Sequence, residues 1–136
     1  MQTETSRGPL AGPDAGGPVP ARDPQWRALL ETRWRARLQE VTELALAYHE
    51  AAAAVGRGTG GGEGALQVRP LLRLQRLLRR TVTSRRALAD TEEALARLSA
   101  GRYGWCESCA GAIPAQRLAA APETRYCARC ARERER

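Results

Sequence analysis

Phenylalanine is absent from the 136 residues, and aromatic side chains make up only 4% of them. With so little large flat surface to bury, a wide globular core is excluded and narrow apolar seams must hold the chain together. Lysine is absent too, all 22 basic residues being arginine, so the glycines that follow Gly56 lack the Lys and Ser/Thr of a phosphate-binding loop. The single histidine, His49, is far in sequence from any cysteine and reads as an ordinary helical residue. No Ser-His-Asp set and no paired carboxylates stand out, which argues against an enzyme. No apolar run approaches the roughly 20 residues needed to cross a bilayer, so a soluble protein without membrane contact is expected.

What remains is rich in Ala, Leu, Arg and Glu, the composition of long helices. Residues 1–22 mix Gly, Pro, Ala and small polar residues without a period, and a disordered tail is expected there. Asp23 is a favourable N-cap, and Pro24 at the first helical position loses nothing by lacking an N–H. From Trp34 the apolar positions Leu38, Val41, Ala45, Tyr48, Ala52 and Val55 recur at steps of four and three, the seam of a coiled coil. Trp26, Leu29 and Leu30 extend this face toward the helix start. Six glycines among residues 56–64 predict a stop near Val55, since each removes helix propensity.

A second seam runs through Leu74, Leu77, Thr81, Ser84, Leu88, Thr91, Leu95 and Leu98. Pro70 places its start near Arg69, and Gly101 supplies the C-terminal stop. Two seams of similar length joined by a flexible loop predict an antiparallel hairpin over residues 23–100, with a Gly-rich tip at about 56–68. The alternative is that the seams associate between chains in a bundle; a monomer is the expectation here.

All four cysteines lie in residues 101–136, as Cys106-x-x-Cys109 and Cys127-x-x-Cys130. Each pair can bite one metal ion, and the second pair completes a tetrahedron, so this spacing reads as a site for one structural Zn²⁺. Two disulfides are the competing reading. They require an oxidising compartment, and residues 1–22 lack the apolar stretch of a signal peptide, so a cytoplasmic location is expected. Four sulfur ligands leave no open position for catalysis. Chelation is then expected to unfold residues 101–136 and leave the upstream helices largely intact. Trp105, beside Cys106, is expected to pack the knuckle.

The formal net charge of +7 is unevenly placed, with about +5 on residues 65–100 and about +3 on 101–136. An acidic partner is implied, either nucleic acid or a protein surface. With Leu74 at heptad position a, Arg69, Arg76, Arg79, Arg86 and Arg97 fall on outward positions, and Arg73 and Arg80 flank the seam. Glu40, Glu43 and Glu50 of the first helix point away and cannot neutralise them. Arg69, Arg73, Arg76, Arg79 and Arg80 therefore read as a docking stripe, set against the plain alternative of a solvated face.

The segment Ala94-Leu95-Ala96-Arg97-Leu98, Gly101-Arg102-Tyr103-Gly104-Trp105-Cys106, Cys109, Ile113, Arg117-Leu118, Ala121-Pro122, Cys127 and Cys130 closely resembles the C4-type zinc finger of the DksA/TraR family of bacterial transcription regulators. The resemblance implies a mainly α protein: a long antiparallel helical hairpin (coiled coil) followed by a small four-cysteine zinc-finger module with a short C-terminal helix. It also implies direct binding to RNA polymerase, the hairpin entering the secondary channel, with modulation of initiation and, in some members, cooperation with ppGpp. Sequence-specific DNA reading is not implied. In the family, an Asp-x-x-Asp-x-Ala motif occupies the tip; here the matching stretch begins at Glu63, with Leu66 and Val68 at the later positions. The Gly usual after the second cysteine is Ala110, with Gly111 following. The alternatives from other classes are a zinc-stabilised nucleic-acid-binding module using the arginine face, and a structural helical adaptor.

Overall fold

The computed structural model describes residues 23–58 and 68–136; the tail expected at 1–22 and most of the Gly-rich tip, Glu63 included, lie outside them. The fold is mainly α, and the described residues form four helices in the order α1 (Pro24–Gly58), α2 (Val68–Ser99), α3 (Ala115–Ala120) and α4 (Ala128–Arg134). Among the described residues the only extended pairing is an isolated antiparallel bridge between Trp105 and Ala112.

The ends of the long helices follow from local chemistry. Asp23 Oδ1 accepts the Gln25 N–H at 2.9 Å, satisfying one of the donors a helix start leaves open. At the far end of α2, Gly101 takes φ +74°. The Gly101 N–H bonds Leu98 O at 3.2 Å and the Arg102 N–H bonds Arg97 O at 2.9 Å, the paired bonds of a Schellman stop. α1 runs through Gly56 to Gly58, three residues past the stop expected at Val55. Helix already propagating tolerates two isolated glycines at roughly 1 kcal/mol each. α2 begins at Val68, with Pro70 inside its first turn, where the missing N–H costs nothing.

The described residues form two compact units, one of Thr32–Asp90, the other of Thr91–Arg136 with residues 23–31. In the first, α1 and α2 pack antiparallel: Leu44, Ala51 and Leu77 form the buried cluster, with Ala47, Tyr48 and Leu74 against it. The α2 seam is the one read from sequence, Leu77, Thr81 and Ser84 being buried. The α1 seam is not. Trp34, Val41, Tyr48 and Val55 lie in the seam as expected, as its a row, but the companion row is Arg37, Leu44 and Ala51 at d, and Leu38 at e is 40% exposed. Both rows keep helical spacing, and the polar Arg37 concealed the true one. Rotating the register also moves Glu40 to g, where it lines a groove of ≈ 330 Å³ together with Arg79 and Arg80. That glutamate therefore does not point away from the arginines.

In the second unit the first turns of α1 and the last of α2 join the cysteine-bearing segment in one cluster. Leu30, Ala94, Leu98, Tyr103, Ile113 and Leu118 are almost wholly buried in it. Arg97, expected to face outward, is also buried, and its Nη2 donates to Glu123 O at 3.2 Å. Thr91 Oγ1 donates to Glu123 Oε1 at 3.0 Å, and Arg125 pairs with Glu93. Polar bonds from α2 thus fasten the loop after α3.

Candidate metal centre

The site is built on two short loops. Gly104 at φ +89° turns the chain after Tyr103, and the Ile113 N–H returns to Gly104 O at 2.7 Å. Within this ring the Cys106 N–H bonds Gly111 O at 2.8 Å and the Ala110 N–H bonds Cys106 O at 2.9 Å, forming the first knuckle. Ala110 takes φ +59°, a left-handed conformation that costs a residue with a Cβ about 1–2 kcal/mol. Exchanging it with Gly111 would crowd the knuckle, because a Cβ at Gly111 would stand 3.3 Å from Cys109 Sγ. The second knuckle opens α4: Cys127 is its N-cap residue, and the Ala131 N–H bonds Cys127 O at 2.9 Å. The Glu107 N–H bonds Arg125 O at 2.8 Å, which ties one knuckle to the approach of the other.

The four Sγ atoms of Cys106, Cys109, Cys127 and Cys130 lie within 4.8 Å of one another, and none is in a disulfide. Cys109 and Cys127 are 3.9 Å apart. A tetrahedron with Zn–S bonds of about 2.3 Å has edges of about 3.8 Å, so the donor set fits one Zn²⁺ in both chemistry and spacing. Burial, the largest single influence, pushes the Cys106 thiol up, but hydrogen bonds at the backbone of Cys109, Cys127 and Ser108 outweigh it and bring the thiol down to about 6. Backbone bonding at Cys130 lowers Cys127 as well. Cys130 moves the other way, to about 11, chiefly because of the Cys127 side chain and then burial. One thiolate discourages the next, and a divalent cation reverses that preference. Bound there, zinc supplies a structural cross-link with all four positions filled, leaving none to activate water.

The surroundings hold the knuckles in place. Arg117 Nε donates to Tyr126 O at 2.9 Å, bracing the strand of chain that leads to Cys127, and Arg134 stacks over the Tyr126 ring at 4.4 Å. The Tyr103 hydroxyl donates to Pro122 O at 2.8 Å, and its ring lies 6.0 Å from that of Trp26. Trp105 does not pack the knuckle: it is 42% exposed. At the bridge with Ala112 successive side chains turn to opposite faces, so Cys106 goes inward and Trp105 outward. Trp26 was readable as apolar, but no periodic signal told that it would meet Tyr103. Arg69, Arg73, Arg76, Arg79 and Arg80 are all exposed on α2.

Residues 101–136 match the family model of the prokaryotic dksA/traR C4-type zinc finger. An uncharacterized protein of Aquifex aeolicus (strain VF5) is 51% identical over 49 residues, which cover 36% of this chain and 34% of that one. The chain thus spans about a third of that relative's length. Among solved structures, transcription factor DksA2 from Pseudomonas aeruginosa is similar with a TM-score of 0.54 and 23% identity, over 79% of this chain and 84% of that one. The second likeness concerns the fold, a helical hairpin with an appended cysteine module. Together with the placement of the four thiols, the match identifies residues 101–136 as a C4-type zinc finger of the prokaryotic dksA/traR kind.

Proposed function

We infer that the protein is a transcription regulator that binds RNA polymerase directly and modulates initiation, its hairpin entering the secondary channel. The observation that carries this reading is the joint presence, in one chain, of the C4 zinc finger and the helical hairpin of the DksA fold. In this reading zinc bound by Cys106, Cys109, Cys127 and Cys130 holds the base of the hairpin. The exposed arginines Arg69, Arg73, Arg76, Arg79 and Arg80 meet acidic surface on the polymerase, where rim charges steer association. Glu63 is the acidic group nearest the tip in sequence and carries whatever tip chemistry the protein retains; ppGpp acts as a co-effector if this member follows others of its family. Neither enzymatic chemistry nor sequence-specific DNA reading belongs to the reading. No helix among the described residues is long and apolar enough to cross a membrane, consistent with work in the cytoplasm.

Retention of the protein by core polymerase without DNA, followed by in vitro transcription with and without it, tests this. Binding to polymerase that weakens when Arg73, Arg76 and Arg80 are replaced together by Ala is the expected result. Retention by DNA alone, falling steeply with salt, would instead favour a nucleic-acid-binding module. Adding ppGpp to the same transcription assay tests the co-effector.

A further inference from the structure

In the unit Thr32–Asp90 the two sides of the helix pair differ in chemistry. One side is marked by the groove in which Glu40 and Arg80, both at g, lie together with Ala87. Antiparallel packing sets g beside g, and therefore e beside e on the opposite side. The g side, with the adjacent c positions, holds all three glutamates of α1 after Thr32, namely Glu40, Glu43 and Glu50, and the α2 arginines Arg69, Arg73, Arg76 and Arg80. The e side presents Leu38, Ala45 and Ala52 from α1 and Leu71 and Leu78 from α2, with Val82 at the neighbouring b. Over residues 38–52 and the α2 stretch level with them, 71–85, the one formal charge at an e or b position is Arg85, level with Leu38. Leu38, Leu71, Leu78 and Val82 are 40–48% exposed there.

The sizes on this face are complementary as well. Packing of Leu44, Ala51 and Leu77 in one cluster, with Tyr48 and Leu74 against it, sets Ala45 level with Leu78 and Ala52 level with Leu71. At these two levels small side chains line the α1 edge and large ones the α2 edge. We propose that this face pairs with the same face of a second copy of the chain, about a two-fold axis parallel to the helices. That axis lays each α1 over the other copy's α2. Ala45 then meets Leu78 of the second copy and Ala52 meets Leu71, so each large side chain enters the space a small one leaves. The interface is self-complementary, as a two-fold contact must be. An anionic lipid surface fits less well, because it calls for a basic belt around the apolar patch, and four of the α2 arginines lie on the other side. Nucleic acid would gain nothing from exposed leucines.

About 15 residues of each helix give a face about 22 Å long and about 20 Å wide. That is on the order of 500 Å² per copy, below the roughly 800 Å² of a standard stable interface. The dimer is therefore weak and depends on concentration, with monomer prevailing when the protein is dilute.

Sedimentation velocity on the zinc-loaded full-length chain, from low-micromolar to near-millimolar concentration, tests the proposal. The average mass should climb from 14.8 kDa toward twice that value. The double variant Leu71→Glu, Leu78→Glu should weaken association more than about tenfold, with helix content by circular dichroism unchanged. Ala45→Leu alone should weaken it too, and Ala45→Leu with Leu78→Ala should recover it, since the exchange restores large against small. A chain that stays monomeric throughout overturns the proposal, as does association indifferent to both leucines. So does a monomer whose leucines are needed only for binding vesicles of phosphatidylglycerol. None of these outcomes depends on whether the chain binds polymerase.

Discussion

The unit around the cysteines and the unit Thr32–Asp90 are held together by different means. The first buries Leu30, Leu98, Tyr103, Ile113 and Leu118 almost completely and closes around four thiols. The second has Leu44, Ala51 and Leu77 as its buried apolar residues, and its seam continues into Thr81 and Ser84. Thr81 Oγ1 returns to Leu77 O at 2.7 Å, whereas Ser84 Oγ is buried with no hydrogen-bond partner among the described residues. A metal-centred core can be dense because the ion fixes its loops, while a thin helical seam relies on many half-buried contacts and tolerates polar interruptions. The exposed chemistry follows the same split, since the helix pair keeps apolar and arginine-rich surface free for partners.

The largest test of the contrast is metal removal. Zinc binding contributes on the order of 10–16 kcal/mol in small fingers at neutral pH, so excess chelator should unfold the cysteine unit. Because Trp26, Leu30, Ala94 and Leu98 share its cluster with Cys106 and Cys130, the loss should extend into the adjoining ends of α1 and α2, beyond residues 101–136. Near-ultraviolet circular dichroism of Trp26 and Tyr103 should collapse while much of the helical signal at Thr32–Asp90 persists. An unchanged aromatic signal without zinc would break the comparison. Next come paired truncations: Leu30→Ala and Leu44→Ala should each cost about 2–5 kcal/mol, but only Leu30→Ala should lower zinc affinity in a competition titration. Equal effects on zinc would show the units to be energetically one.

Acid gives a smaller, directional effect. The Cys106 thiol is brought down to about 6, so its thiolate contributes stability above the ordinary thiol range, and that contribution is lost as pH falls through about 6. Protons compete with zinc for the same sulfurs. A colorimetric zinc-release assay should therefore show retention at neutral pH and release below about 6, with the aromatic signal lost in parallel. Release already complete at neutral pH would argue that this site is not closed. The smallest expected effect is Ala110→Gly, which removes a left-handed strain of about 1–2 kcal/mol but adds chain entropy, leaving a net gain of about 1 kcal/mol or less. Thermal unfolding of the zinc-loaded protein reads it; a loss of stability would mean that the alanine methyl is needed where it sits.

The zinc centre was legible in sequence because two Cys-x-x-Cys pairs leave few alternatives, and the helix ends because Asp23, Pro24 and Gly101 act on their own neighbours. Register in α1 was not, since Leu38 and Ala45 keep the same spacing as Arg37 and Leu44, and pattern alone favours the apolar row. Arg97 and Trp105 were misplaced for a related reason. Heptad letters describe a helix facing another helix, but Arg97 faces the Glu123 loop, and Trp105 sits on a bridge where alternation, not helical period, decides the direction. The meeting of Trp26 with Tyr103 depends on tertiary closure, for which short-range patterns hold no signal.

That meeting has a consequence for the order of events in synthesis. Trp26 and Leu30 leave the ribosome early, yet their burial partners Leu98, Tyr103, Ile113 and Leu118 come some seventy to ninety residues later, and the fourth sulfur only at Cys130. Loop closure over such a span is slow compared with helix formation. The opening turns of α1 must therefore wait with their tryptophan exposed while Thr32–Asp90 can already pair. Arrival of the last cysteine, and of the metal, is the step that ends that wait.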